Sequence, residues 1–262
     1  MDARNAKISV TLAIDLTGSV VLVTGGSRGI GAAIVRALHS AGASVFFTFA
    51  SRRDDANALA NELSERVAVA QCDLADGIAL PDLVRNCVSR FGGLHTLVNN
   101  AGIFDANPFD GEDFAAWRAG WRRTFDINLF GAADLAWAAM RHMRGNGGGK
   151  IINIASRAAH RGELHFADYG ASKAALVNLT KSIARSCAKD GVLAFAVAPG
   201  FIETEMAARD LAARRDEIVA EIPIGWVGTP DDVAGIVAFL ASPMGDYLNG
   251  ATVDVNGGSY VR

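Results

Sequence analysis

Residues 19–42, "SVVLVTGGSRGIGAAIVRALHSAG", decide the fold. An apolar, β-branched run (19–24) meets a glycine-rich turn, and the turn opens directly into a stretch with helical spacing. Such a strand–turn–helix unit starts a doubly wound α/β sheet. The glycines let the backbone approach a pyrophosphate closely, and the helix start offers it free N–H groups and a partial positive charge. Tight turns also use glycine for steric reasons alone, so the pattern takes its weight from the strand before it and the helix after it.

The alternation continues along the chain. "SVFFTF" (44–49), "VAVAQ" (67–71), "HTLVNN" (95–100), "KIINIAS" (150–156), "LAFAVA" (193–198) and "ATVDV" (251–255) are nearly continuous apolar runs, as strands buried on both faces require. Between most of them lie longer segments rich in Ala, Leu, Arg and Glu. The predicted architecture is one Rossmann-type doubly wound α/β domain, with about seven parallel strands and helices on both faces. No linker, repeat or charge block divides the chain, so residues 18–262 are expected to form that domain and 1–17 an N-terminal lead-in.

Half the residues are hydrophobic and a fifth charged, which favours a packed core over disorder. A net charge of −3 and a pI of about 5.9 give no electrostatic reason to expect nucleic acid or an anionic membrane as partner. Cys72, Cys87 and Cys187 lack C-x-x-C spacing, which fits a reducing cytosol and offers no zinc site. The opening "MDARNAKISVTLAIDLTGSV" does not read as a signal peptide, and no apolar run approaches the ~20 residues of a membrane span. A cytoplasmic location is expected.

A second informative stretch is "ADYGASKAAL" (167–176), where Tyr169 and Lys173 stand four apart in a helical run. Such a pair shares one helix face, about 5–6 Å apart at Cβ. A phenol is a poor base at neutral pH; a neighbouring ammonium would stabilise its phenolate and bring its pKa towards working pH. Upstream, "INIAS" delivers Ser156 to the end of a predicted strand, and "FDINLFGA" places the Asn128 amide among apolar neighbours inside a helical stretch. Taken singly, each has a structural alternative: Ser156 capping a turn, Asn128 satisfying buried backbone, Tyr169 and Lys173 forming a surface pair.

The end of the second strand bears on the coenzyme. An acid about 20 residues after the glycines would bind a ribose 2′-OH, but Phe49 stands near that place. Close by are Ser51, Arg52 and Arg53, with Arg28 inside the glycine loop. Guanidinium groups grip phosphate through paired hydrogen bonds, so NADP(H) is expected over NAD(H), with solvation at a helix start as the alternative for Arg52 and Arg53. Asp73 and Asn100–Gly102 follow the third and fourth strands, at the carboxyl ends where such sheets bind ligands; Asp73 equally suits a cap or turn.

The T-G-x-x-x-G-x-G spacing of Thr24–Gly31, followed in order by Asn128, Ser156, Tyr169 and Lys173, resembles the short-chain dehydrogenase/reductase family across residues 18–262. The resemblance implies a catalytic set. Tyr169 would exchange a proton with a carbonyl or alcohol oxygen that Ser156 polarises. Lys173 would lower the tyrosine pKa and bond the nicotinamide ribose, and Asn128 would hold a water in a proton relay. Hydride would pass between nicotinamide and the substrate carbon. The implied coenzyme contacts are Gly25, Ser27, Arg28, Gly29, Ile30 and Gly31 in the loop, Ser51 and Arg52 beyond the second strand, and Asp73 and Leu74 at the adenine. Asn100, Ala101 and Gly102 would pass beneath the ribose. Tyr169 and Lys173 would join Pro199, Gly200, Ile202 and Thr204 of "VAPGFIETEM" at the nicotinamide, beneath a mobile lid spanning about 203–222.

Within the family the chain most resembles 3-oxoacyl-acyl-carrier-protein reductases, through the glycine loop, "YGASKAAL" and "VNGG". It departs from them at Asp190, where carrier-docking members have a basic residue, and at "PIGW", with Trp226 in place of arginine. A sugar, polyol or cyclic-ketone dehydrogenase therefore stays open; a non-catalytic coenzyme-binding regulator is disfavoured by the intact quartet. Arg118, Arg122 and Arg123 suit either an acidic carrier protein or a solvated face. "RAAHRGELHFAD" (157–168) is expected to line the substrate pocket, with His160 and His165 as candidate contacts. Phe114, Trp117, Trp121 and Phe125 form one helix stripe, the mark of core or subunit contact, and the resemblance implies a homotetramer.

Overall fold

The computed structural model describes residues 13–63 and 65–262. Seven strands, β1 (Val20–Val23), β2 (Ser44–Phe49), β3 (Val67–Gln71), β4 (Thr96–Asn99), β5 (Gly149–Ile154), β6 (Val192–Pro199) and β7 (Thr252–Val255), form one sheet in the order β3-β2-β1-β4-β5-β6-β7. Every neighbouring pair is parallel. The connections are α1 (Gly29–Ser40), α2 (Arg53–Leu63), α3 (Leu80–Phe91), α4 (Phe114–Phe125), α5 (Gly131–Arg144), α6 (Ala167–Cys187), α7 (Glu205–Ala220) and α8 (Pro230–Ala241). The chain enters in the middle of the sheet, runs out through β2 and β3, then returns to β4 on the other side of β1. That reversal opens a crevice at the carboxyl ends of β1 and β4.

The unbroken apolar strands follow from two cores. Val21 and Val23 of β1 pack with α1 and α8 on one face, while Val20 and Leu22 pack with α3, α5 and α6 on the other. No face of β1 meets water, so no polar alternation is needed. Of the expected lead-in, residues 1–12 lie outside the described residues. Leu16 is buried, and its N–H donates to the Ala41 carbonyl at 2.7 Å.

Three apolar runs outlast their strands, at Thr24, Asn100 and Ser156. The Thr24 N–H still donates to the Val98 carbonyl of β4 at 3.0 Å, but beyond β4 the backbone turns to a side chain: the N–H groups of Asn100 and Ala101 both donate to Thr24 Oγ1 at 3.0 Å. Asn128 lies in a five-residue π-helical turn, Asp126–Phe130, between α4 and α5, rather than within one regular helix. Its Oδ1 accepts from the Ile103 N–H at 2.8 Å and its Nδ2 donates to the Ile103 carbonyl at 3.1 Å. Such π turns recur where a helix must present a side chain off its regular face. Among the described residues no helix is long and apolar enough to cross a membrane.

Candidate active site

A cleft of about 870 Å³ runs along the carboxyl ends of the strands. At one end lies the glycine loop. Gly25 and Gly29 have φ of +66° and +52°, in the left-handed region that favours glycine. A Cβ on Gly31 would come within 2.0 Å of the Gly25 carbonyl oxygen, so α1 starts hard against the loop. Asn100 Nδ2 ties the loop to β4 by donating to the Thr24 and Gly25 carbonyls at 2.9 and 3.0 Å. The first turn of α1 has no side-chain cap and no acidic residue. Its free N–H groups therefore meet the cleft unpaired, which suits a phosphate.

Every coenzyme contact that the family resemblance implied lines this cleft. Asp73 makes a turn contact, its Oδ1 accepting from the Ala75 N–H at 3.0 Å, and it borders the cleft. The arginines after β2 diverge. Arg52 faces the cleft, whereas Arg53 donates to Gln71 Oε1 at 2.6 Å and lies over the Phe49 ring. Arg28 and Arg52 converge on Glu205 Oε2, at 2.5 and 3.3 Å. Thr204 precedes α7, with its Oγ1 donating to the Ile202 carbonyl at 3.4 Å.

At the other end, Ser156, Tyr169 and Lys173 meet, with Asn128 behind the wall. Ser156 Oγ accepts from the Ala158 N–H at 3.1 Å, holding the side chain at the strand end. Lys173 Nζ donates to the Ile154 carbonyl at 2.8 Å and lies 5.7 Å from the Tyr169 ring centroid. Asn128 Nδ2 donates to Ser172 Oγ at 3.2 Å, fastening the π turn to α6. Phe104 packs edge-on to Tyr169 and stacks on Phe166, with centroids 4.7 and 3.9 Å away.

The electrostatics differ from the expectation that Lys173 lowers the tyrosine pKa. Burial pushes the Tyr169 phenol above its usual value, against a smaller downward pull from its hydrogen bond with Ser156, while the Glu163 charge adds to the rise. Burial brings Lys173 down to about 8. The ammonium turns to the Ile154 carbonyl, and burial is the largest cause of the shift in both groups.

The loop after Ser156 supplies arginines rather than histidines to the cleft. His160 stacks on Tyr260 away from it, and His165 is an exposed residue with φ of +64°. Arg157, buried to 5 % exposure, lies 4.6 Å from the Phe201 ring centroid. Arg157 and Arg161 face Glu163 and Glu221 at 3.4–3.9 Å, and all four line the cleft. Residues of the 157–168 stretch line the cleft as expected, but their pairing with Glu221, and Glu205 itself, were not read from the sequence. The charges were visible, but loop and helix charges default to solvent until folding brings 157–163 against α7.

A dinucleotide cradle and a proton-carrying pair at opposite ends of one cleft fit a nicotinamide-dependent oxidoreductase. A family model described as "Enoyl-(Acyl carrier protein) reductase" matches residues 25–260. The chain is 40% identical over 248 residues to the 3-oxoacyl-[acyl-carrier-protein] reductase FabG of Rickettsia felis, covering 94% of this chain and 98% of that protein. A solved short-chain dehydrogenase/reductase of Brucella melitensis, titled a glucose/ribitol dehydrogenase, is 34% identical with a TM-score of 0.88, covering 96% of this chain and 100% of that one. A blue fluorescent protein from a metagenomic library, solved with NADPH, is 40% identical with a TM-score of 0.86, covering 94% and 100%. A 7α-hydroxysteroid dehydrogenase solved with NADH is 30% identical with a TM-score of 0.87, covering 94% and 96%. The chain belongs to the short-chain dehydrogenase/reductase family and is an NAD(P)-dependent oxidoreductase.

Proposed function

We propose that this chain is an NADP(H)-dependent reductase of a carbonyl compound, with a 3-oxoacyl thioester as first substrate class. The observation that carries this is the placement of Arg28 and Arg52 at one end of the cleft that holds Ser156, Tyr169 and Lys173 at the other. When bound, the coenzyme supplies the hydride. Tyr169, protonated at neutral pH as an ordinary phenol is and held further towards that form by burial, gives its proton to the carbonyl oxygen. Ser156 donates a hydrogen bond to the same oxygen and fixes its position. Lys173 keeps a positive charge beside that oxygen and would bond the nicotinamide ribose, and Asn128, fastened to α6 through Ser172, holds the π turn behind it where it would hold a relay water.

The thioester reading is supported by the relative from Rickettsia felis. Two surfaces weigh against a carrier protein as donor: Asp190 pairs with Arg144 at 2.8 Å, and Trp226 is exposed. A sugar, polyol or cyclic ketone is the second reading, favoured by the Arg157–Arg161–Glu163–Glu221 cluster, whose charges suit a polar substrate. NADPH oxidation with a short 3-oxoacyl thioester, run beside sugars, polyols and cyclic ketones and beside NADH, separates them. Turnover with the thioester and a preference for NADPH are expected. Turnover only with the polar panel would discard the acyl substrate, and equal rates with NADH would discard the coenzyme preference.

The aromatic stripe of α4 continues on the surface: Phe114, Phe130 and Trp137 are exposed, Trp117 meets Trp121 at a tilt of 51° with centroids 5.6 Å apart, and Trp121 stacks on Phe125 at 5.8 Å. Exposed aromatic surface of this extent supports a homotetramer. Sedimentation of four chains together is expected, and a monomer at micromolar concentration would contradict it. We place the enzyme in the cytoplasm, where its three thiols stay free; recovery of the native enzyme in a membrane fraction would contradict that.

A further inference from the structure

The two arginines that the NADP(H) reading reserves for a 2′-phosphate hold an anion of the protein's own. Arg28 Nη1 and Arg52 Nη2 both donate to Glu205 Oε2, at 2.5 and 3.3 Å. Three separate elements meet at that oxygen: the glycine loop, the turn after β2 and the first residue of α7. Arg52 shares its charge with Asp55 Oδ2, 3.8 Å away, whereas Arg28 pairs with Glu205 alone among the described residues.

The first half of α7 has little else to hold it. From Glu205 to Ala213 no side chain is buried, and only the half-buried Leu211 touches an apolar cluster. The helix breaks at Arg214 (φ −149°, ψ 42°), and beyond the break buried Ile218 packs with Ile222 and Val227. The arginine–glutamate contacts are half-exposed, with side-chain exposures of 51–60%. Exposed pairs of this kind are weak and readily exchanged.

We propose that Glu205 is a coenzyme-specificity residue: in the free enzyme its carboxylate occupies the arginine pair, and the 2′-phosphate of NADP(H) displaces it. The inference rests on the NADP(H) reading and adds a competitor to it. A phosphate brings about −1.5 to −2 charge and three acceptor oxygens against the single charge of a carboxylate, so the exchange favours the phosphate. NAD(H) carries no group at that place and leaves the ion pairs standing. Wild-type affinity for NADPH is therefore lower than the bare arginine pair would give, while affinity for NADH is untouched.

Calorimetric titration of the full-length wild type, Glu205→Gln, Arg28→Ala and the double variant with NADPH and with NADH tests this. Glu205→Gln keeps the size and removes the charge, so it is expected to tighten NADPH roughly two- to five-fold, the scale of one exposed ion pair, with NADH unchanged. In the Arg28→Ala background the gain should shrink, because the two residues act on the same phosphate. If Glu205→Gln leaves NADPH unchanged while Arg28→Ala weakens it selectively, the competitor is overturned and the NADP(H) reading survives. Weaker NADH binding by Glu205→Gln would assign the carboxylate to a ribose hydroxyl and also overturn the proposal. Equal losses of both coenzymes in Arg28→Ala would overturn the phosphate site itself.

Discussion

Lys173 is 4 % exposed, its ammonium rests on the Ile154 carbonyl, and burial lowers its pKa to about 8. Below that pH the side chain is charged; above it the charge is lost. The Tyr169 phenol, raised by burial, stays protonated through the same range. If the charge on Lys173 assists proton transfer, kcat/KM for reduction is expected to fall as pH rises through about 8, and Lys173→Arg should move the fall to higher pH. A profile flat well above pH 8 would contradict this. Folding stability runs the other way. The folded pKa lies below the unfolded 10.5, so the unfolded chain binds more protons between the two values, and the burial penalty is relieved as pH rises through that window. The Tyr–Lys spacing was legible in the sequence, but the signs of their shifts were not, because burial dominates them and no local pattern reports it.

At the scale of elements, a buried polar chain crosses the apolar strands beneath the site. Asn99 Nδ2 donates to Asn153 Oδ1 at 2.9 Å, Asn153 Nδ2 to Thr180 Oγ1 at 2.8 Å, and Thr180 Oγ1 to the Leu176 carbonyl at 2.9 Å. It joins β4 and β5, which lead into Asn100 and Ser156, to α6, which carries Tyr169. Replacing Asn153 by Ala strips both neighbours of a partner in a dry interior, with an expected loss of about 1–3 kcal/mol in urea unfolding. A loss under about 0.5 kcal/mol would mean that the chain is not under that constraint. The strands themselves were legible because burial on both faces writes a continuous apolar run. The asparagines within them were not, since their partners are remote in sequence, and the π turn at Asn128 was hidden because its neighbours carry ordinary helical residues.

Across the whole molecule, the crevice position follows from chain order. The first strand starts mid-sheet, and the reversal between β1 and β4 sets the glycine loop beside Asn100–Gly102. That much was readable from alternating apolar runs and one turn. The clamps on α7 were not: Glu205 meets Arg28 and Arg52, and Glu221 faces Arg157 and Arg161, only after the helix has folded across the cleft. In the proposed reaction Tyr169 transfers the proton while the rest of the cleft binds the coenzyme. Single-turnover NADPH oxidation by Tyr169→Phe, with an accepted carbonyl substrate and a parallel coenzyme titration, tests it most directly. The rate is expected to fall by about 10²–10⁴-fold with NADPH affinity nearly unchanged, since Phe keeps the packing against Phe104 and loses only the hydroxyl. A rate near wild type would contradict it.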